Sequence, residues 1–230
     1  MTRLGLGMIL VIVLGGCSGQ GDASSTAPSV AESIAPSASP AESAPASEVA
    51  GEGVLCAEGH EPCPLEAGTY SSAPFEPAFM FTIDDGWLND RAFADGGGIS
   101  KEVGGIYWAS AVSGGTIAGE EVEIGASADD FVTFLQGLEV TGMTVTEPTP
   151  ASVDGVDGQQ VDVESNDVDA PALYFIEEDQ FNLVANEKAR FIVLDKDGET
   201  VILIVDSFTT ADFDEWLDTA QPVLDSIHWE

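Results

Sequence analysis

Oxygen donors are the most abundant reactive groups in this 230-residue chain, and in one stretch they crowd closely enough to fold around a hard cation. Asp154 and Asp157 precede Asp162, Glu164, Asn166, Asp167 and Asp169. Calcium is bound by carboxylate and carbonyl oxygens of this kind. The spacing lacks the central glycine and terminal glutamate of an EF-hand loop. Asp162, Glu164, Asp167 and Asp169 therefore stand as calcium candidates against the plainer reading of an acidic loop and strand edge. Adjacent acids also occur at Asp84-Asp85, Asp129-Asp130 and Glu177-Glu178, and glycoside hydrolysis uses two carboxyl groups facing one another. With 41 acids in the chain, such neighbours follow from composition and nominate no catalytic pair.

The remaining reactive groups are few. A Ser-His-Asp set would have to recruit His60 or His228, and neither lies in a nucleophile-elbow sequence. Gly96-Gly97-Gly98 has no following Lys or Thr and no helical pattern, so it is not a phosphate loop. Cys56 and Cys63 read as one disulfide in an exported chain, and the small loop they close is worth about 2.5 kcal/mol in the chain-entropy model. The alternatives are free thiols or half a metal site. Zinc bound by Cys56, His60 and Cys63 would need a fourth ligand, with only His228 or carboxylates left to supply it. The sequence thus nominates no catalytic residue and, calcium aside, no cofactor.

Cys17 has a different setting. Arg3 supplies a positive start, Leu4 to Leu14 a largely apolar run, and Gly15-Gly16 a small-residue approach to a cleavage point. The run is too short to cross a bilayer core, which takes about 20 helical residues. Leu14-Gly15-Gly16-Cys17 resembles the lipobox of bacterial lipoproteins. That resemblance implies a signal peptide over residues 1–16, lipidation of Cys17 and anchoring on the extracytoplasmic face of a cell membrane, where two or more acyl chains hold stably.

Residues 17–52 change abruptly to Ser, Ala, Pro, Gly and Glu with no aromatic residue, a composition that cannot bury enough apolar surface to offset its ordering entropy. They read as a disordered tether with a root-mean-square reach of roughly 30 Å. Residues 53–230 hold every Trp, Tyr and Phe and suit one globular domain. That domain carries 36 of the 41 acids against five bases, Arg91, Lys101, Lys188, Arg190 and Lys196. The charge excludes nucleic acid and direct docking on anionic lipid, and it favours a soluble monomer. Self-repulsion of this size fits a salt-adapted or cation-rich setting.

Two helices are signed. Ser127 with Asp130 makes a capping box before the stripe Phe131, Phe134, Leu135 and Leu138, with Gly137 near the stop. A second begins at Thr209 or Thr210 and carries the stripe Phe213, Trp216, Leu217, Ala220, Val223, Leu224 and Ile227, with Pro222 expected to bend or interrupt it. Strands are expected at Phe79–Ile83, Ile106–Ala111, Thr116–Ile124, Met143–Thr146, Gln159–Glu164, Ala172–Ile176, Phe181–Ala185, Arg190–Leu194 and Glu199–Val205. Asp195-Lys196-Asp197-Gly198 is a hairpin turn, and Val201–Val205, apolar on both faces, a central strand. The glycine-rich stretches 94–105 and 113–119 read as loops or bends. The expected class is α+β: a mainly antiparallel sheet packed by two principal helices. Trp87, Trp108, Trp216 and Trp229 are assigned to core packing ahead of a ligand groove.

Ala67-Gly68-Thr69-Tyr70, Phe75 and the run Phe79–Trp87 resemble the start of the globular part in a group of lipid-anchored extracytoplasmic proteins of actinobacteria and related bacteria. The element order, with an early Phe-x-Phe-Thr strand ending in Gly-Trp and a late strand leading through Ser207-Phe208 into the last helix, is also similar to the PsbP-type α/β/α sandwich. The resemblance implies a fold more than a role. The expected role is a non-enzymatic binding or interaction module for an envelope protein or small ligand. The alternatives are a calcium- or cation-dependent envelope structural protein and a carboxylate-based hydrolase.

Overall fold

The run Val201–Val205 has no polar side to show to water, so it must lie where both faces are covered. In the computed structural model it forms the middle of the strand Glu199–Ser207, whose residues Val201 to Ser207 are all buried. The described residues are 52–56, 62–166, 173–176 and 179–230, all within the unit Ser47–Glu230. The expected signal segment, Cys17, the tether up to residue 51, His60, Asp167 and Asp169 lie outside them.

In chain order the main strands are β1 (Gly68–Ser71), β2 (Phe79–Ile83), β3 (Leu88–Ala92), β4 (Gly96–Lys101), β5 (Gly104–Ser110), β6 (Gly114–Ile117) and β7 (Glu120–Glu123). Helix α1 (Ala128–Gly137) comes next, then β8 (Thr149–Val153), β9 (Val156–Glu164), β10 (Leu173–Ile176), β11 (Asp179–Phe181), β12 (Lys188–Lys196), β13 (Glu199–Ser207) and helix α2 (Phe213–Asp225). The large sheet runs Thr144–Val145, β9, β12, β13, β5, β4, β3 and Cys63–Pro64, with β8 also paired to β9, and every neighbour is antiparallel. Two smaller sheets flank it. One sets β1 and β2 beside Glu52–Gly53 and His228–Trp229, and the other runs β11, β10, β6, β7. The protein is thus α+β, mostly antiparallel sheet with two helices.

Strand alternation sends the apolar residues of β13 to opposite sides. Val201, Leu203 and Val205 join a core with Trp216, Ala220, Val223 and Leu224 of α2 and with Phe79, Phe81 and Ile83 of β2. Ile202 and Ile204 join a second core with Phe131, Val132, Phe134 and Leu135 of α1. Helix α1 starts as its sequence requires: Asp130 N–H donates to Ser127 Oγ at 3.2 Å, and Ser127 N–H donates to the Asp130 carboxylate at 3.3 Å. Helix α2 is entered through a 3-10 turn over Thr210–Asp212 and is not interrupted at Pro222, continuing to Asp225. Pro222 and Asp218, whose carbonyl the proline cannot bond, both lie on the exposed side of the helix, where an unbonded carbonyl costs least.

The glycine stretches also differ from expectation. Gly96–Lys101 is a full strand, because its glycines sit opposite rings: Gly97 pairs with Trp108 and Gly98 with Tyr107. A Cβ on Gly97 would lie 2.6 Å from the Trp108 ring, and one on Gly98 would lie 2.2 Å from that of Tyr107. Each ring lies across a glycine and covers backbone that no side chain of its own protects. The expected single strand Thr116–Ile124 is instead the hairpin β6–β7, turned at Ala118 and Gly119, both at positive φ. Of the stretch 181–185 only Phe181 is strand. The Asp195–Gly198 turn is as expected, with Asp197 and Gly198 at positive φ and Gly198 N–H donating to Asp195 at 2.8 Å.

Candidate functional site

One end of the large sheet gathers most of the unusual chemistry. The β4–β5 turn, Glu102 and Val103, projects there beside the start of α2, and between them runs an open groove of about 520 Å³. Val103, Trp216 and Val223 give it an apolar lining, while Asp84, Glu102, Asp212, Glu215 and Asp218 bring carboxylates to it. Helical periodicity explains the row from α2: Asp212, Glu215, Thr219 and Pro222 recur at three to four residues along one face. Acids at 212 and 215 are also favourable where a helix begins. The single cation is Lys101, and it is committed. Its ammonium lies 2.7 Å from Asp84 and 5.6 Å from the Trp87 ring centre. Asp84 also accepts the Trp87 indole N–H at 2.8 Å, and Lys101 first, then Trp87, holds its carboxyl below the usual range.

On the opposite face of the sheet, at the same end, lies a buried carboxyl pair. Asp206 is 3% exposed and Glu187 4% exposed, and the β12–β13 register sets them a diagonal step apart on one face. Gly105 N–H donates to Asp206 at 2.8 Å, and Val184 N–H donates to Glu187 at 2.5 Å. Burial pushes both carboxyls upward. Asp206 is raised furthest, by burial first and then by the charge of Glu187 beside it. Asp90 on β3 completes the group, accepting from Ser100 Oγ at 2.9 Å and lying 3.4 Å from the Tyr107 hydroxyl. Burial raises Asp90, and burial with the charges of Asp206 and Asp90 pushes the Tyr107 phenol up.

Sequence had flagged other residues. Asp162 lies on β9 with both carboxylate oxygens on Arg190, at 2.7 and 2.9 Å, and Lys188 3.9 Å away. Glu164 pairs in register with Lys188, as Asp162 does with Arg190. The two acids therefore face basic residues across a strand pair, and no group of three or more metal-ligating side chains forms among the described residues. Cys56 and Cys63 are joined as a disulfide with Cα atoms 6.6 Å apart. Cys56 N–H donates to the buried Asn89 at 2.9 Å and Cys63 pairs with Asn89 in register, so the bridge fastens the chain entrance to β3, the strand next to the sheet's edge. His228 Nδ1 lies 3.3 Å from Asp154, which also accepts Trp229 N–H at 3.0 Å. That contact clips the C-terminal strand to the β8–β9 turn. Trp87, Trp108 and Trp216 are buried in the core under α2, with Trp229 packed against it.

Sequence reading missed Asp206, Glu187, Asp90 and Tyr107. For Asp206 a signal existed: it follows five apolar residues in a strand with no solvent face, where an acid must be buried. Glu187 carries no comparable mark. The chain matches no protein-family model and no curated protein.

Proposed function

We propose that this protein is a lipid-tethered extracytoplasmic binding module, non-enzymatic, whose groove between α2 and the β4–β5 turn takes a cationic ligand such as a basic peptide segment of an envelope protein. In this reading residues 1–16 are the signal peptide, Cys17 carries the lipid, residues 17–52 are the tether and the domain is a monomeric α/β/α sandwich of PsbP type. The observation that carries the binding assignment is the groove's composition: five carboxylates over an apolar lining, with the one lysine already held by Asp84. A cationic side chain would meet uncompensated negative charge there, while its aliphatic stem would cover Val103 and Val223.

The hydrolase alternative has less support. Glu187 and Asp206 are buried at 4% and 3% exposure, whereas glycosidase carboxyls flank a bond of a bound sugar and must be open to it. The binding reading is tested by thermal melts of the full chain with a lysine heptapeptide at matched ionic strength. The peptide should raise the Tm above the salt control, and Asp212→Asn/Glu215→Gln/Asp218→Asn should abolish the rise. A control neutralising Glu120, Glu121 and Glu123 on β7 should keep it. Equal loss in both variants would mean diffuse attraction to an acidic surface and would overturn the site.

A further inference from the structure

We propose that Asp206 and Glu187 form a proton-dependent latch that fastens the Val184–Glu187 loop to the end of β13. Asp206 stands opposite Ala189 in the β12–β13 ladder, so Glu187, two residues before Ala189, lies a diagonal step from it on the same face; with both more than nine-tenths buried, the two carboxyls share one proton, because burial leaves a second negative charge so close poorly solvated. The charged or titratable groups facing the pair are Asp90 from β3 and the Tyr107 phenol from β5, with Arg91 acting on both of these. Lys188, the next residue along from Glu187, lies on the other face, 4.4 Å from the Phe213 ring centre. Lys188, the base nearest in sequence, is thus turned away from Asp206.

Beside the pair, the loop is tied to Ser165 and Asn166: Ser165 N–H donates to the Glu187 carbonyl at 2.9 Å and Asn186 N–H donates to the Asn166 carbonyl. Glu187 accepts Val184 N–H, Glu187 N–H donates to Ser165 Oγ at 3.0 Å, and Ser165 Oγ donates to the Val184 carbonyl. The Asn186 carbonyl in turn accepts Thr210 N–H at 2.7 Å and Thr210 Oγ1–H at 3.0 Å, at the turn that leads into α2. Loss of the shared proton places two like charges side by side, pushes Glu187 away from β13 and releases the Val184 and Thr210 amides together. The sheet keeps its own ladder. Thr210 begins the turn that carries Asp212 to the groove, so the latch would also regulate that site; this last link rests on the binding reading above.

The sign follows from the upward shift. The native pair holds a proton that the unfolded chain has already lost, so the latch is fully closed below the ordinary carboxylate range and weakens as pH rises through the pair's elevated range. The test is amide hydrogen exchange on the full chain at pH 5 and pH 8, with rates corrected for intrinsic chemistry and no ligand present, so that failure of the latch and failure of the groove are separable. Protection at Val184 and Thr210 should fall at least about tenfold between the two pH values, while Leu203 and Ile204 in β13 stay protected. Asp206→Asn keeps an acceptor for Gly105 and a permanent donor for Glu187, so it should remove the pH dependence and hold the loop closed at pH 8. Glu187→Gln should do the same from the other side. An unchanged pH dependence in both variants, or equal protection at the two pH values in the native chain, would overturn the latch. Should both variants fail to fold, carboxyl carbon chemical shifts of the native protein decide: one carboxyl of the pair still protonated at pH 6 supports it, and both ionised there sinks it.

Discussion

The two faces of the large sheet meet the same problem, an excess of acids, in different ways. On the α2 face, acids are matched to scarce bases: Asp162 takes Arg190 in a two-pronged contact, Asp84 takes Lys101, and the Lys188 and Arg190 side chains lie over Phe213. On the α1 face, Asp206 and Glu187 are matched to each other and to backbone N–H groups. A paired ion is insensitive to pH near neutrality, whereas a carboxyl pair is held by a proton that bulk solvent can remove. The difference teaches that composition does not settle how charge is tolerated; local supply of a base does.

The sharpest way to break this comparison is at the adjacent glycines Gly104 and Gly105, which face opposite sides. A Cβ on Gly104 would lie 2.4 Å from the Asp206 backbone oxygen and 2.6 Å from the Trp216 ring, and neither can retreat. On Gly105 its nearest neighbours would be atoms of the Tyr107 side chain, from 2.4 Å, and Tyr107 is only half-buried. Gly104→Ala should cost about 3 kcal/mol in urea unfolding and Gly105→Ala about 1 kcal/mol. Equal costs would mean that the two faces are packed with equal rigidity.

Charge gives the next largest contrast. Asp162→Asn leaves the Arg190 guanidinium without its carboxylate, and because that side chain is 22% exposed the cost should be about 2 kcal/mol, below that of a fully buried pair. The same substitution at Asp206 on the other face should leave stability at pH 8 unchanged or higher, since an amide needs no proton to donate to Glu187. Urea midpoints at pH 8 should therefore fall for Asp162→Asn and hold or rise for Asp206→Asn. Movement downward by similar amounts would show that Asp206 carries a stabilising charge, contrary to the shared-proton account.

How much of this was legible in sequence depends on how local each signal is. The α1 cap at Ser127 and Asp130, the α2 stripe, the Asp195–Gly198 turn and the central position of Val201–Val205 were all readable, because each is set within a few residues. The glycine strand β4 was not, because what makes it a strand is Tyr107 and Trp108 on the neighbouring strand. The carboxyl pair was hidden for the same reason: Glu187 and Asp206 meet across β12 and β13, and nothing near Glu187 in sequence announces its partner. Nor were the basic partners of Asp162 and Glu164 legible beside them, because Arg190 and Lys188 come from a strand distant in sequence.

The smallest effect sharpens the comparison inside one face. The α1 capping box and the buried pair belong to the same side of the sheet but respond to acid with opposite sign. Ser127 holds the exposed Asp130 carboxyl below the usual range, through its hydroxyl first and its N–H second, so the box contributes above the ordinary carboxylate range and fades as pH falls through Asp130's lowered value. Ser127→Ala should cost about 1 kcal/mol at pH 7. At pH 2 the cost should shrink toward that of the hydroxyl alone, while the latch below is fully protonated. Urea melts of Ser127→Ala and the native chain at the two pH values check this. A cost that does not shrink in acid would mean that the cap is held by the Ser127 hydroxyl and helix packing, with no share from the Asp130 charge, and the opposing pH responses on this face would reduce to the carboxyl pair alone.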